Sequence, residues 1–404
     1  MRNTILQGLN ELIHICQMEL KIIFHDEGVF IFCILVPLGY PLLYSYIYVT
    51  ELMRDVPVTV IDDSKTALSR EFIRNLDASQ WIKVVGYSDN IPDARQHIKE
   101  QQTYGFFRIP SDFSNRIVKG EQVSVGLYSD MSAMLYYKGM FIGATDVSLD
   151  MNKKIKIERA GKATDEDEKM VVSPIKSREV ALFNPQQGFA SFLIPAILVL
   201  VIQQTLLLGI GMAGGTAAEK GEYSELVATS RRNRGTLHII FGRAFAYFSI
   251  YAVQAAFMVC VVPKLFGLTQ LSQGLDLMLF LIPYLLSCIF FSMALSILMR
   301  NREMSILVFV FTSVPLLFVS GISWPGSAVP PFWKGVSWLF PSTFGINGFV
   351  RINTMGATIS QVAVEWRALW LQAVAYFVLA YMSCRTIIYR ERRKDKTELR
   401  EPFM

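Results

Sequence analysis

Few side chains capable of chemistry stand at useful spacings in this 404-residue sequence. The four histidines, His14, His25, His97 and His238, are scattered, and no two share a spacing that would set paired imidazoles on one helix or strand around a metal. A phosphate-cradling loop needs glycines leading into Gly-Lys-Ser/Thr. The nearest Gly-Lys pair, Gly161-Lys162, runs into Ala163 and lacks the upstream glycine. A G-x-S-x-G nucleophile elbow is missing as well. The acidic run Thr164-Asp165-Glu166-Asp167-Glu168-Lys169 has no fixed ligand spacing and reads as a solvated loop. No catalytic residue, cofactor or metal is expected, and a chain without a nucleotide loop does not burn ATP alone.

Two sets of polar side chains lie inside otherwise apolar stretches. Gln203 and Gln204 are the most polar residues of one long apolar run, and Tyr247, Tyr251 and Gln254 recur at i, i+4 and i+7, on one face of a helix. Both suit a substrate-facing surface; helix-to-helix hydrogen bonding by buried amides is the plainer alternative. A third set is charged. Ala217 to Arg243, within a connection spanning 214–243, carries Glu219, Lys220, Gly221, Glu222, Glu225 and Leu226, followed by Arg231 and Arg232. Acids early and arginines late suit the macrodipole of a short helix offering a mixed-charge surface to a protein partner; a plain amphipathic linker is the alternative.

The elements that position these residues follow from composition. The chain is 52% hydrophobic and 18% charged, against about 25% charged in an ordinary soluble domain. Residues 51–183 hold 39 of the 73 charges, so a soluble domain is set into a membrane protein. Crossing the hydrocarbon takes about 20 apolar residues. Six segments qualify: Val29 to Val49, Phe189 to Ala213, Ala244 to Val262, Leu277 to Met299, Met304 to Ile322 and Ala368 to Ile388. A further stretch, residues 324–350, is broken by Pro330, Pro331 and Pro341 and reads as a re-entrant or interfacial hairpin. The central thirds of all six spans lack Asp, Glu, Lys, Arg and His, whereas ion- and proton-coupled transporters keep such groups at the midplane. An energy source outside the chain is the economical inference.

With both termini inside, the short inner flanks hold sixteen Lys/Arg and the outer flanks only Lys264, Lys334, Arg351 and Arg367. This places residues 51–183 outside the cytoplasm. There Pro57 to Asp63, Ile82 to Tyr87, Gly105 to Ile109 and Val123 to Tyr128 read as strands. They alternate with helices Ser69 to Leu76, Pro92 to Gln101 and Ser111 to Val118, a small α/β domain with a mostly parallel or mixed sheet. A helix from Ala133 to Lys156 leads back to the membrane. At the start, Leu6, Leu9, Ile13, Cys16, Leu20 and Ile23 form one apolar stripe, so residues 1–28 are expected as an interfacial amphipathic helix and not as a cleaved signal. Residues 391–404 form a basic tail that faces lipid headgroups. Cys16, Cys33, Cys260, Cys288 and Cys384 sit in or beside apolar runs and read as packing residues. A net charge of +5 is too small to suggest nucleic acid.

Several passages, in this order along nearly the whole chain, resemble the permease subunits of ABC transporters of the type-2 exporter class, in the subgroup with a large extracytoplasmic domain after the first span. They are the interfacial helix, Val60-Ile61-Asp62-Asp63-Ser64 to Ser69-Arg70, Tyr104 through Ser114 with Lys119-Gly120, Ser320 to Pro325 with Pro330 to Trp333, and Phe340-Pro341-Ser342-Thr343. The inner loop departs from the family's pattern, with Glu222 where Thr is common and Ser230 where Pro is usual. The resemblance implies a multi-pass protein of a bacterial inner membrane that pairs with a second permease copy and two cytoplasmic ATPase subunits through the loop as coupling helix. A periplasmic membrane-fusion adaptor is a further implied partner. The uncharged midplane favours a hydrophobic or amphipathic small molecule as substrate. Export of a lipid-linked glycan, or a membrane sensor or scaffold built on the outer domain, stays open from the sequence.

Overall fold

The computed structural model describes residues 2–49, 53–160, 182–184, 188–221 and 235–398. The chain divides into two units, Thr50–Val180 and a second made of Met1–Val49 with Ala181–Met404.

The second unit begins with α1 (Arg2–His25). Asp26 then turns extended and its carboxylate accepts the Gly28 and Val29 N–H groups, capping α2 (Glu27–Phe30) and dividing the amphipathic helix from the first span. That span continues through a π-helical turn, Ile31–Leu35, into α3 (Val36–Ile47). Pro37 has no N–H to return to the Cys33 carbonyl four residues earlier, which leaves this carbonyl without its α-helical partner.

The smaller unit is a four-stranded sheet in the order β2-β1-β3-β4, with β1 (Val56–Asp62), β2 (Ile82–Tyr87), β3 (Gly105–Ile109) and β4 (Gly126–Ser129). β1 runs parallel to β2 and β3, and β4 is antiparallel to β3. Helices α4 (Ala67–Asp77), α5 (Ile91–Lys99) and α6 (Phe113–Lys119) alternate with the strands, and α7 (Met134–Ala160) follows. Thr66 and Ser69 close a reciprocal cap on α4, and Asn90 caps α5. Alternation along the strands feeds two cores. Val58, Val60 and Phe107 pack with Phe72, Leu76 and Met140 on one face, while Ile61 and Phe106 pack with Ala94 on the other. The expected strand at Val123 begins later, at Gly126; Val123 and Val125 pack against the core without joining the ladder.

The remaining helices are α8 (Phe189–Lys220), α9 (Gly235–Ala256), α10 (Val262–Phe266), α11 (Gly274–Ser296), α12 (Arg302–Val319), α13 (Pro331–Ser337), α14 (Pro341–Met355) and α15 (Ala363–Glu398). A second π-helical turn, Phe257–Val261, joins α9 to α10. Six helical segments are long and apolar enough to cross a membrane. Among them α8 is 94% buried along its span window and α12 only 11%, so α8 is the post around which the others pack.

One sequence expectation needs correction. The connection expected over 214–243 is helical in its described residues at both ends: residues up to Lys220 finish α8, Gly221 ends it in the left-handed region at φ 66°, and α9 has begun by Gly235. Arg243 therefore lies inside α9 and not in a loop. The proline-broken stretch 324–350, expected as a re-entrant or interfacial hairpin, holds two helices, and the second is not superficial. Pro341, Ser342, Ile346 and Phe349 of α14 are buried among α8 and α11, and α14 continues to Met355.

Candidate functional site

The sequence-selected polar residues are all deep inside the helical unit. Gln203 and Tyr247 are wholly buried, as is Tyr251, and Gln204 and Gln254 nearly so. The three amides bridge helices. Gln203 Oε1 accepts the Ser342 N–H at 2.6 Å, one of the donors that the first turn of α14 leaves without a helical partner. Gln204 and the Thr312 hydroxyl of α12 lie 3.4 Å apart. Gln254 Nε2 donates to the Cys33 carbonyl at 2.6 Å, the same carbonyl that Pro37 leaves open.

This last arrangement recurs. Pro263 frees Val259, whose carbonyl accepts from Gln270 at 3.1 Å, and Pro283 frees Leu279, whose carbonyl accepts from the Trp366 indole at 3.1 Å. Unpaired carbonyls are costly in hydrocarbon, and side chains of neighbouring segments repay these three. The residue four before a membrane proline is in these cases a signal in the sequence for where a polar side chain arrives. The tyrosines behave differently. The Tyr247 hydroxyl lies beside Glu19 and that of Tyr251 beside Thr205 and Cys33, yet among the described residues neither has a hydrogen-bond partner in good geometry.

Charges gather at one end of the unit. Arg243 Nε and Nη2 both reach Glu19 Oε1, at 3.0 and 2.9 Å, in a pair whose carboxylate is almost wholly buried. Gly242 makes the approach feasible, since a Cβ there would stand 2.8 Å from Ile15 and 3.1 Å from the Leu12 carbonyl of α1. Nearby in sequence, Arg302 grips both oxygens of Asp26 at 2.6 and 3.0 Å, and its backbone N–H donates to Glu219 at 3.3 Å. Burial opposes ionisation of Asp26, but the Val29 and Gly28 N–H groups and the Arg302 guanidinium outweigh it and hold the carboxyl below the usual aspartate range.

Sequence reasoning missed Glu19 and Asp26, and counted Arg243 and Arg302 only as topological charges. Glu19 had a signal. It lies four residues after Ile15 and four before Ile23, so it stands on the packed face of α1, where Ile15, Cys16, Glu19 and Ile23 are buried. Leu9, Ile13 and Phe24 of the same helix are exposed. The expected apolar stripe is therefore one half of a broader arc, the other half of which packs on α9. Of the loop set, Glu219 and Lys220 occupy the last turn of α8 and Gly221 its cap; Glu222, Glu225, Leu226, Arg231 and Arg232 lie outside the described residues. No group of three or more His, Cys, Asp or Glu suited to a metal occurs among the described residues.

Six apolar helices, one of them a buried, charge-poor post, describe a multi-pass membrane protein. The family model for ABC-2 family transporter proteins matches residues 28–382, and the chain belongs to that family. Over 86 residues it is 31% identical to the inner membrane transport permease YadH of Escherichia coli K12, and equally to YadH of Shigella flexneri. The alignment covers 21% of this chain and 32% of that permease, so the chain spans about a third of the length of the curated relatives it matches.

Proposed function

We propose that the chain is the permease subunit of an ATP-driven exporter that moves a hydrophobic or amphipathic small molecule, drug-like or lipid-like, out of the cytoplasm or the inner leaflet. One observation supports this reading: among the described residues the ion pairs of the helical unit with a buried or half-buried carboxylate, Glu19–Arg243, Asp26–Arg302 and Arg351–Glu365, lie toward the ends of the helices and leave the middle of the spans uncharged. Proton and ion relays keep ionisable groups at the midplane, so spans without them favour an energy source outside the chain. Two ATPase subunits would supply the energy, docking at the connection 221–234. Movement there would reach the bundle directly, because α8 and α9 are the helices it joins and α8 is the central post. The excess of Lys and Arg in the short flanks supports a topology with the 221–234 connection and both termini in the cytoplasm and residues 51–183 outside, where a membrane-fusion adaptor would meet them. A second permease copy is drawn from the family, since lipid covers an apolar face such as that of α12 equally well.

Purification of the full chain from its native membrane in mild detergent tests the reading. Stoichiometric recovery of a nucleotide-hydrolysing subunit, lost when residues 222–232 are replaced by a Gly/Ser segment of equal length, is the expected result. An intact, folded complex without any nucleotide-binding subunit would overturn it.

A further inference from the structure

A cavity of about 700 Å³ opens where α1, α8, α9, α11 and α15 meet. Its polar wall includes Glu19, Lys21 and Arg243, and its apolar wall Ile240, Ile297 and Ile388. The ion pair is thus at the edge of a space, not sealed into packing. A buried pair rarely repays its own desolvation, and one that borders a cavity is placed to exchange partners. Lys21 and Arg243 against Glu19 leave one positive charge in surplus.

The cavity also leads outward. A second space of about 520 Å³ shares His14, Met18 and Lys21 with it and runs beside α1 to Phe24, which is 59% exposed. Inward, the face of α9 that carries Arg243 continues through Tyr247 and Tyr251, whose buried hydroxyls lack partners, to Gln254. Buried, unpaired hydroxyls destabilise a packed interface. Two in succession among the described residues, starting at a charged cavity, mark a track that is closed in this conformation and that a polar group would satisfy on passing.

We infer that this cavity binds the head of an anionic amphiphile bearing acyl chains, chemically an acidic phospholipid, with Lys21 at its mouth and Arg243 as the counter-charge drawn from Glu19, and that Tyr247 and Tyr251 extend the track. The inference rests on the exporter reading for the track, but the binding site stands on the cavity itself.

Native mass spectrometry of the purified full chain, titrated with phosphatidylglycerol or with phosphatidylcholine of identical chains, tests it. Wild type should retain phosphatidylglycerol about tenfold better, on the scale of one charge-assisted hydrogen bond. Arg243→Gln should abolish the preference. Because that change also strands Glu19, Ser383→Phe, which fills the cavity, and Lys21→Gln, which leaves the ion pair untouched, should each reduce it too. Val253→Ala, on an exposed face of α9, should retain it. Equal retention of the two lipids by wild type, or a preference that survives both Ser383→Phe and Lys21→Gln, would overturn the site. No ATPase is present in this measurement. Bound phosphatidylglycerol that a complete ATPase complex fails to move would refute export and leave the site intact, and an exporter without the lipid preference would do the reverse.

Discussion

The two units use charge in opposite ways. In the α/β unit charges are plentiful and peripheral: Lys154 meets Glu71 at 2.5 Å and Arg108 meets Asp63 at 2.8 Å, each an exposed cation on a half-buried carboxylate. In the helical unit charges are scarce; at its α1 end the Glu19–Arg243 pair is largely buried and the Asp26–Arg302 pair half-buried. Water screens the first kind and lets either partner be lost cheaply. The second kind binds α1 to α9, and the α1–α2 junction to α12, through contacts 224 and 276 residues apart. Scarcity, not abundance, marks where charge matters in this protein.

The largest expected effect is at Glu19. Glu19→Ala leaves Arg243 buried and unpaired, and should cost about 3–5 kcal/mol, read as a lowered thermal midpoint in detergent. The double change Glu19→Leu with Arg243→Met should recover most of that loss, since apolar packing replaces a buried pair well. Failure of the double variant to recover would show that the pair does more than satisfy itself.

Asp26 comes next, because it both caps α2 and holds Arg302. Asp26→Asn should cost about 1–3 kcal/mol, the range for a hydrogen bond to a charged group. Its carboxyl is held below the ordinary aspartate range in the folded chain, so its stabilisation is complete above that range and is lost as pH falls through the lowered value. Thermal scans at descending pH should show that loss in wild type and a shallower one in Asp26→Asn.

How far the sequence reached differs between the units for a physical reason. The strands Ile82–Tyr87 and Gly105–Ile109 are legible to the residue, because apolar and β-branched runs bounded by turn residues are local signals. The six spans are equally legible from hydropathy. The site was not. Glu19 and Arg243 are joined by no spacing, and Gln254 reads as a substrate contact until Pro37 is seen to leave the Cys33 carbonyl open. Arg243 was misplaced because a charge beside an apolar run looks like its end, whereas here a buried carboxylate lets the helix carry it inward.

The smallest effect belongs to the solvent side of the comparison. In the Glu71–Lys154 pair mutual hydrogen bonding, and then mutual charge, lower the carboxyl and raise the amine against a smaller opposing desolvation. Lys154→Gln should leave the unfolding midpoint of the full chain unchanged within error, and a clear loss would blur the contrast between the units.

The most direct measurement is transport itself. The chain, reconstituted in proteoliposomes with the ATPase subunit that purifies with it, should move a fluorescent phosphatidylglycerol across the bilayer only when ATP is supplied, and Arg243→Gln should stop that movement while ATPase binding persists. Movement without ATP, or undiminished ATP-driven movement in Arg243→Gln, would contradict the account.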